Sequence, residues 1–388
     1  MNHLINKIES YPFDKLRRLL SSVNPNKKNN ELINLSIGEP KKRAGKKVLS
    51  ILANNKELFS QYPPLGSMNI LVSAYKSYLS KRFNIKEVAN DNILNLGGTR
   101  EGTFSVIQSL FNKKIKSKKP YVLMPNPFYQ IYGGATLLAG GISKQINLNE
   151  DNGFSLDLNS INENIWKKCQ IFVACSPSNP TGSVLKEDEI RKIIKLSRKY
   201  GFYIVSDECY IDIYRESKPK SFIEISYEQF RNFKNIVSLH SLSKRSNLPG
   251  FRSGMICGDK KLINNFKKYR SFHGVSIPLP IQIASAEAWS DEKIVEDNRR
   301  FYNENFNLAD KILNYKAPDG AFYMWLRTDN GEKFAKTLFK EKNIISLPGE
   351  YLAVSRNGKN PAKNYVRIAL VHNKKLIKEA LDRIADVL

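Results

Sequence analysis

The sequence predicts an α/β protein with a large domain, whose mostly parallel sheet lies between helices, and a smaller α+β domain. Between about residues 93 and 260, strand-like apolar runs alternate with helical runs, which is typical of a parallel sheet covered by helices. After about residue 285 the alternation gives way to a long polar–apolar helical stretch. The length of 388 residues also favours two domains over one compact core.

The N-terminal elements are predicted from apolar spacing and from turn residues. Residues 11–20, YPFDKLRRLL, place apolar side chains such as Phe13 and Leu16 at helical spacing. The run NLSIGEP, residues 34–40, predicts a short extended segment, because a proline disfavours helix at the residue before it. A further helix is expected after Ser67, whose hydroxyl is suited to capping it.

Strand-like runs in the middle of the chain predict the sheet. They are short and apolar, as expected for strands that are buried on both faces. Helical runs lie between most of them, for example at 101–112 and 186–200. The strand-like runs are NILNLGG (92–98), YVLMP (121–125), IFVACSP (171–177), FYIVSDE (202–208) and NIVSLHS (235–241).

The C-terminal part is expected to form the smaller domain. A helical stretch at 285–314 leads to APDGAFYMWL, and another helix is predicted at 331–341, before the strand-like run NYVRIALV and a terminal helix. We therefore expect residues 41–284 to form the large domain, and residues 1–40 together with 285–388 to form the small one.

The net charge of +25, from 62 Lys and Arg against 37 Asp and Glu, is unusually high. Nucleic acid is the first partner that such a charge suggests. The basic residues are scattered in short groups, however, and no nucleic-acid-binding module is recognisable. We therefore expect a solvated basic surface that attracts anionic substrates, and no nucleic-acid partner.

Cysteine and histidine usage argues against a metal site. The four cysteines and four histidines form neither a CxxC pair nor a metal-ligand spacing. Free cysteines fit a reduced, cytoplasmic setting. The N-terminus has no apolar signal core and no run approaches eighteen apolar residues, so neither secretion nor membrane insertion is expected.

Polar residues follow the predicted strands at the edge where parallel sheets bind ligands. Gly97 and Gly98 allow a tight turn, so that the amides of Thr99 and Arg100 and the threonine hydroxyl can receive a phosphate at a helix N-terminus. A purely structural turn uses Gly-Gly-Thr equally often. Asn179, in a rigid turn between two prolines, offers an amide to a ligand, although Asn-Pro turns are common without one.

The next two strands end in an acid and in a lysine. Asp207 follows an apolar run; an acid there often only caps a helix, but a buried carboxylate needs a partner. Tyr210 can present its hydroxyl to the same crevice. Lys244 follows the next strand, and oxyanion-binding groups around it are provided by Ser241, Ser243 and Arg252. Together these residues supply a phosphate clamp, an acid, a phenol, an amide and an amine that can form an imine.

These residues match a known family. Over roughly residues 10–388 the chain resembles the pyridoxal-phosphate-dependent aminotransferases of fold type I, class I/II. Within that family its motifs are most similar to those of the N-succinyldiaminopimelate aminotransferases of bacterial lysine biosynthesis. The resemblance implies pyridoxal 5′-phosphate as cofactor, amino acids and 2-oxo acids as substrates, and a homodimer. The matching motifs are SIGEP, YPPLG, NPFYQIY, SPSNPTG, SDECY, SLSKRSNLPGFRSG, PDGAFYMW and NYVRIAL.

The resemblance also implies a role for each residue that would touch the cofactor ring. Lys244 would attach the cofactor covalently and later move the proton at the substrate Cα. Asp207 would pair with the pyridinium nitrogen and keep it protonated. Asn179 and Tyr210 would bind the phenolic oxygen, and Tyr129 would stack on the ring.

Substrate and phosphate contacts are implied in the same way. Arg367 would clamp the substrate α-carboxylate, next to Asn179 and to the backbone of Gly38. Tyr62 would reach the phosphate in the neighbouring subunit of the dimer. The residues implied to hold the phosphate of the same subunit are Gly98, Thr99, Arg100, Ser241 and Arg252.

Several substrates and one other reaction remain open on the sequence. The run TREG, where relatives often carry Gln or Glu and then Ala, departs from the family pattern at the phosphate site, so that Arg100 either contacts the phosphate or only packs nearby. The basic run KKRAGKK after Gly-Glu-Pro departs from the pattern at the substrate entrance. Aspartate, aromatic amino acids, kynurenine or unsuccinylated diaminopimelate are alternative substrates, and a β-elimination lyase is an alternative reaction on the same scaffold. Arg17, Arg43 and Arg327 are candidates for reading a distal carboxylate, although arginines are more often simply exposed.

Overall fold

The computed structural model describes residues 2–26, 31–113, 120–356 and 358–388. Within these ranges, no helix combines the length and the apolar character needed to cross a membrane. The helices are α1 (Pro12–Leu20), α2 (Lys46–Asn54), α3 (Asn69–Phe83), α4 (Thr99–Leu110), α5 (Ile131–Leu138), α6 (Glu163–Lys168), α7 (Glu187–Tyr200), α8 (Phe222–Phe230), α9 (Leu242–Arg245), α10 (Lys260–His273), α11 (Leu279–Ser290), α12 (Glu292–Leu313), α13 (Gly331–Lys342) and α14 (Lys374–Ala385). The strands are β1 (Ile33–Asn34), β2 (Ile93–Leu96), β3 (Tyr121–Asn126), β4 (Ile142–Asn147), β5 (Cys169–Cys175), β6 (Tyr203–Asp207), β7 (Ile236–Ser241), β8 (Gly254–Gly258), β9 (Tyr323–Arg327), β10 (Ile344–Ile345), β11 (Leu347–Pro348) and β12 (Tyr365–Ala369).

A seven-stranded sheet with the order β2-β8-β7-β6-β5-β3-β4 forms the centre of the larger part. Only β8 runs against its neighbours, β2 and β7, and the other pairs within this sheet are parallel. The mostly parallel sheet that the sequence predicts is therefore confirmed. Two strands were not predicted from the sequence. In β4 apolar and polar residues are mixed, and β8 begins and ends in glycine.

Apolar side chains cover both faces of this sheet. On one face Phe172 and Ile204 pack with residues of α3, α7, α8 and α11. On the other face Val173 and Val205 pack with residues of α4, α5 and α10. Because successive strand residues point to opposite faces, strands covered on both sides are apolar at nearly every position. The carboxyl ends of the parallel strands lie at one edge of the sheet, and the residues that follow the strands there are polar.

A second, smaller sheet lies in the C-terminal part. Its order is β11-β12-β9, and its strands are antiparallel. The N-terminal segment contributes to the same region, since Ile33 of β1 pairs in parallel with Ile344 of β10. Apolar residues from β1, β9, β12, α13 and α14 share one cluster there. This arrangement brings the SIGEP segment after β1 towards β12.

Asp291 divides the helical stretch expected at 285–314. Helix α11 ends before it and α12 begins after it. Its carboxylate accepts the backbone N–H of Ile294 at 3.1 Å, which makes it the N-cap of α12. The expectation of one continuous helix was wrong, because an acid within a polar–apolar pattern does not reveal that it caps a new helix.

The capping role expected for Ser67 was also wrong. Its hydroxyl accepts the backbone N–H of Asn95 at 2.9 Å, next to the start of β2. Helix α3 begins two residues later, after Met68 has donated its N–H to the Gln282 side chain at 2.8 Å. Both partners are distant in sequence, so the local pattern could not indicate them.

Candidate active site

A cavity of about 400 Å³ lies at the carboxyl edge of the large sheet, between that sheet and the smaller one. Most of the residues singled out in the sequence line it. Gly98 is not itself in the lining, but it lies against the guanidinium of Arg252, which is. Tyr62 lies outside the cavity, and its side chain is fully exposed. The predicted residues that line the cavity are Gly38, Thr99, Arg100, Tyr129, Asn179, Asp207, Tyr210, Ser241, Lys244, Arg252 and Arg367.

Lys244 points into this cavity from α9, directly after β7. Its Nζ donates a hydrogen bond to the carbonyl oxygen of Gly38 at 2.5 Å. Burial, which penalises the ammonium form, lowers the pKa of Lys244 to about 8, and the charges of Arg367 and Arg252 act in the same direction. A substantial fraction of this amine is therefore neutral near physiological pH, as a nucleophile requires.

Asp207 ends β6 and is almost fully buried. Its carboxylate accepts the hydroxyl of Tyr132 at 2.9 Å and the backbone N–H of Cys209 at 3.3 Å. Burial raises the pKa of Asp207, and hydrogen bonds from Tyr132, Cys209 and Thr99 oppose that rise. Among the described residues no cationic side chain forms an ion pair with it. The site thus holds a buried acid that is suited to a cationic ligand group.

Arg367 reaches the cavity from β12, and only 4% of it is exposed. It donates hydrogen bonds to the amide oxygen of Asn179 at 2.8 Å and to the carbonyl oxygen of Ser36 at 2.6 Å. Its guanidinium carbon lies 4.4 Å from the centre of the Tyr323 ring, and its Nε has no hydrogen-bond partner in the described part of the chain. A guanidinium held this firmly on neutral groups has the geometry to bind a carboxylate with two parallel hydrogen bonds.

A tyrosine pair closes the cavity beneath Gly38. The hydroxyls of Tyr210 and Tyr323 lie 2.8 Å apart, and burial raises the pKa of both. A Cβ atom on Gly38 would lie 1.9 Å from the Tyr323 hydroxyl, so no other residue fits there. The absent side chain also leaves the Gly38 carbonyl accessible to Lys244.

A cradle for an anion lies at the N-terminus of α4. Gly98, with φ of +83°, precedes the helix, and a Cβ there would lie 2.5 Å from an Arg252 nitrogen. Arg252 donates to the carbonyl oxygen of Gly97 at 2.9 Å. Ser241 and the first amides of α4 complete the cradle. Helix N-termini and guanidinium groups both favour phosphate.

The side chain of Arg100 leaves this cradle and turns towards the N-terminal segment. Its guanidinium carbon lies 5.3 Å from the centre of the Tyr11 ring, and the side chain is exposed. Tyr129 and Tyr132 form an edge-to-face pair at 5.8 Å on the same wall of the cavity. Burial raises the pKa of Tyr129. The cavity therefore has a cationic mouth and an aromatic wall.

Several lining residues were not identified from the sequence, and some candidates do not belong to the site. Tyr132, three residues after Tyr129 in NPFYQIY, is the clearest omission, because its spacing places it one helical turn along. Arg17 and Arg327 are exposed and pair with Asp14 and Glu150 instead of lining the cavity. The other lining residues without a predicted role are Tyr11, Phe13, Ile37, Glu39, Cys175, Cys209, Pro249 and Tyr323. Arg43 is likewise absent from the lining.

Known proteins match this chain over nearly its full length. The family model described as aminotransferase class I and II matches residues 30–384. An aminotransferase from Neisseria meningitidis has a structure that superposes with a TM-score of 0.94, at 38% identity, covering 100% of this chain and 99% of that one. An LL-diaminopimelate aminotransferase of Natranaerobius thermophilus is 26% identical over 99% of this chain and 98% of its own. An aspartate aminotransferase of Pyrococcus horikoshii is 28% identical over 96% of this chain and 94% of its own.

Proposed function

Since the chain belongs to the aminotransferase class I and II family, whose members depend on pyridoxal 5′-phosphate, we propose that it transfers the amino group of N-succinyl-L,L-diaminopimelate to 2-oxoglutarate. One observation carries the proposal. Lys244, Asp207 and Arg367, from three separate segments of the chain, converge on a single cavity. The three groups are an amine, an acid and a carboxylate-binding guanidinium, the set that amino-group transfer requires from any α-amino acid, and the choice of donor rests on the motifs and charges described below.

The residues present fit the cofactor. The cradle at Gly98 and Arg252 suits a phosphate, and Asp207 has no cationic side-chain partner in the described ranges, so that a protonated pyridine nitrogen would supply one. When bound, pyridoxal phosphate withdraws electrons from the substrate Cα. Asp207 would keep the ring nitrogen protonated, because an ionised carboxylate next to it favours the cation.

Each further residue has a task that its position supports. Lys244 would hold the cofactor through its aldehyde, and its amine would take and return the proton at the substrate Cα. Arg367 binds the α-carboxylate and so fixes the orientation of Cα next to that amine. Asn179 and Tyr210 would hydrogen-bond the phenolic oxygen of the cofactor, and Tyr129 would stack on its ring.

Phosphate binding is assigned to the cradle and its surroundings. The amides of Thr99 and Arg100, at the positive end of α4, point towards the open end of the helix. Arg252 adds a guanidinium, and the Ser241 hydroxyl, which accepts the N–H of Ser243 at 3.1 Å, can donate its own proton to a phosphate oxygen.

The cationic mouth supports a substrate that carries several carboxylates. Arg100 is exposed there and forms no ion pair among the described residues. Succinylation adds a carboxylate at the far end of diaminopimelate, and the motifs SIGEP and SLSKRSNLPGFRSG resemble those of enzymes for that substrate. Unsuccinylated diaminopimelate and aspartate remain the main alternatives, since relatives named for both match the chain.

A donor screen tests the substrate. Purified protein, pyridoxal phosphate, 2-oxoglutarate and one amino donor at a time are mixed, and glutamate is measured. N-Succinyl-L,L-diaminopimelate is expected to react fastest. If it yields no glutamate while aspartate or an aromatic donor reacts well, the proposed substrate is wrong. Release of pyruvate and ammonia without any oxo acid would instead identify a β-elimination lyase.

We also propose a homodimer in which Tyr62 contacts the cofactor phosphate of the partner. Tyr62 is fully exposed and lies close in sequence to other exposed apolar residues, Phe59, Leu65 and Ile70. Exposed apolar side chains that cluster in this way are typical of an interface. Sedimentation velocity is expected to give twice the monomer mass of 44.4 kDa, and Tyr62→Phe is expected to weaken phosphate-dependent cofactor binding. A monomer that keeps full activity would contradict this assembly.

A further inference from the structure

Glu101 lies next to the phosphate cradle but does not line the cavity. It belongs to the first turn of α4, and its carboxylate accepts the backbone N–H of Gly97 at 2.9 Å. The carbonyl oxygen of the same glycine accepts a hydrogen bond from Arg252, also at 2.9 Å. Both backbone polar groups of Gly97 are thus held by charged side chains, and the turn into Gly98 is fixed from two sides.

Arg270 of α10 stands behind Glu101. Only 2% of it is exposed, and its Nε lies 3.7 Å from the second carboxylate oxygen of Glu101. Neither of these two atoms has a hydrogen-bond partner among the residues that the structure describes. The remaining guanidinium nitrogens donate to the backbone and side-chain oxygens of Asn95 and to the carbonyl oxygen of Val275, at 2.9 Å for the last. Arg270 therefore joins Glu101 to β2, the strand that leads into the turn.

Opposite charges explain why Glu101 and Arg270 lie next to each other. A phosphate in the cradle carries negative charge, and a carboxylate in the first turn of the same helix would repel it. Arg270 supplies the counter-charge from the side away from the cavity. A buried guanidinium needs an acid nearby for the same reason, because an unpaired buried charge is costly.

We propose that Glu101 and Arg270 are positioning residues for the cofactor phosphate. Glu101 holds the Gly97–Gly98 turn in the shape that receives the phosphate, and Arg270 offsets the repulsion that the Glu101 carboxylate would otherwise exert. This inference rests on the proposed function, because it requires a phosphorylated cofactor in the cradle.

Comparing pyridoxal phosphate with pyridoxal, which lacks the phosphate, tests the inference. Dissociation constants for both are measured on the cofactor-free full chain by absorbance titration. Glu101→Leu removes both the acceptor and the repelling charge, and its dissociation constant for pyridoxal phosphate is expected to rise about tenfold, because the Gly97–Gly98 turn is then no longer held ready and must be ordered when the phosphate binds. Its constant for pyridoxal should stay within about twofold of the wild-type value, since the turn does not touch the ring.

Further variants separate the hydrogen bond from the charge. Glu101→Gln keeps an acceptor for the Gly97 N–H and is expected to bind pyridoxal phosphate within about threefold of the wild type. Arg270→Met leaves the Glu101 carboxylate without its counter-charge. It should weaken the binding of pyridoxal phosphate about tenfold and leave the binding of pyridoxal unchanged. Combining it with Glu101→Gln should restore most of that loss, because the repelling charge is then absent as well.

Glu379→Leu is the matched control, because Glu379 also pairs with a largely buried arginine, Arg383, but on the C-terminal helix. It should change neither constant. Equal losses for pyridoxal phosphate and pyridoxal in Glu101→Leu, no loss at all, or the same loss in the control would each overturn the inference while leaving the proposed function intact. A wild-type chain that binds neither compound would overturn both.

Discussion

At the scale of single residues, the charged groups of the site are buried away from water, and each of them has specific hydrogen-bond partners. Lys244 is buried, and its amine donates a hydrogen bond to a backbone carbonyl, so it loses its proton more easily than the amine of a surface lysine does. Asp207 is buried with hydroxyl and amide donors, and it remains available for a cationic ligand group. Arg367 keeps a free Nε in a buried position. Each of these three side chains can therefore bind one group of a ligand.

The rate of cofactor capture should depend on the protonation of Lys244. Only the neutral amine attacks an aldehyde, and the pKa of Lys244 is lowered to about 8. The second-order rate constant for binding of pyridoxal phosphate is therefore expected to rise with pH and to level off above about 8. Stopped-flow absorbance measures it. Glu39→Gln removes a carboxylate that raises the pKa of Lys244, so its curve should shift to lower pH. A profile without dependence on pH between 6 and 9 would contradict the assignment of Lys244.

The guanidinium of Arg367 should affect substrate binding more than any other arginine of its sheet. Arg367→Lys keeps the charge but loses the two parallel hydrogen bonds, and we expect kcat/KM to fall by about tenfold to a hundredfold, mainly through KM. Arg327→Gln is the matched control, since Arg327 is an exposed arginine on the neighbouring strand β9. Steady-state kinetics with a coupled glutamate assay measures both variants. Similar losses in the two would show that the clamp has been assigned to the wrong residue.

At the scale of elements, the short helix α9 is held in place by a buried charge network. Arg245, next to the reactive lysine, donates to Asp212 at 3.1 Å and to the carbonyl oxygen of Ala288 at 2.7 Å. Asp212 also accepts Arg82 of α3 at 3.0 Å and the Tyr78 hydroxyl at 3.0 Å. The network joins the loop after β6, helix α3 and helix α9, so it fixes Lys244 relative to Tyr210.

Asp212→Asn is expected to destabilise the fold by about 3–5 kcal/mol, because the buried Arg82 and Arg245 lose the carboxylate that they share, and Arg245 is left with the largely exposed Glu292. Urea denaturation measures the free energy of unfolding. Asp14→Asn, which breaks the exposed pair with Arg17, should cost less than about 1 kcal/mol. Equal effects in the two variants would show that the buried network contributes no more to the free energy of unfolding than an exposed ion pair does.

The same carboxyl group predicts a pH dependence of stability. Burial opposes ionisation of Asp212, but Arg245 and Arg82 lower its pKa below the ordinary value of 3.8. A lowered pKa in the folded state stabilises the protein above the unfolded-state pKa, and this contribution is lost as pH falls through the folded-state value. The wild type should therefore lose stability on acidification below about pH 4 more steeply than Asp212→Asn does, as thermal melts at several pH values would show.

At the scale of the whole molecule, the fold places two sheets so that their loops face one cavity. The large sheet contributes the ends of β5, β6 and β7, and the smaller sheet contributes Arg367. We expect the high net charge of +25 to act on the same scale, because a net positive charge favours the approach of anions from a distance. Neither part forms the site by itself.

Long-range attraction predicts a dependence on salt. For a donor with several carboxylates, kcat/KM should fall severalfold between about 0.01 M and 0.1 M salt, as the screening length shortens from about 30 Å to about 10 Å. For alanine, a donor without net charge, the change should be small. Equal salt dependence for the two donors would indicate that the surface charge has no part in substrate capture.

The sequence by itself determined the class of fold and most of the residues in the site. Apolar runs buried on both faces predict the parallel sheet, and glycine, proline and polar residues directly after those runs predict the Gly98, Asn179, Asp207 and Lys244 positions, because these signals are local. Only the tertiary structure decided which partners meet across the chain. The contact of Lys244 with Gly38, the bond between Arg367 and Asn179, and the pairing of Glu101 with Arg270 all join residues far apart in sequence. Spacing along a chain cannot report such contacts, since they depend on how strands and helices pack in three dimensions.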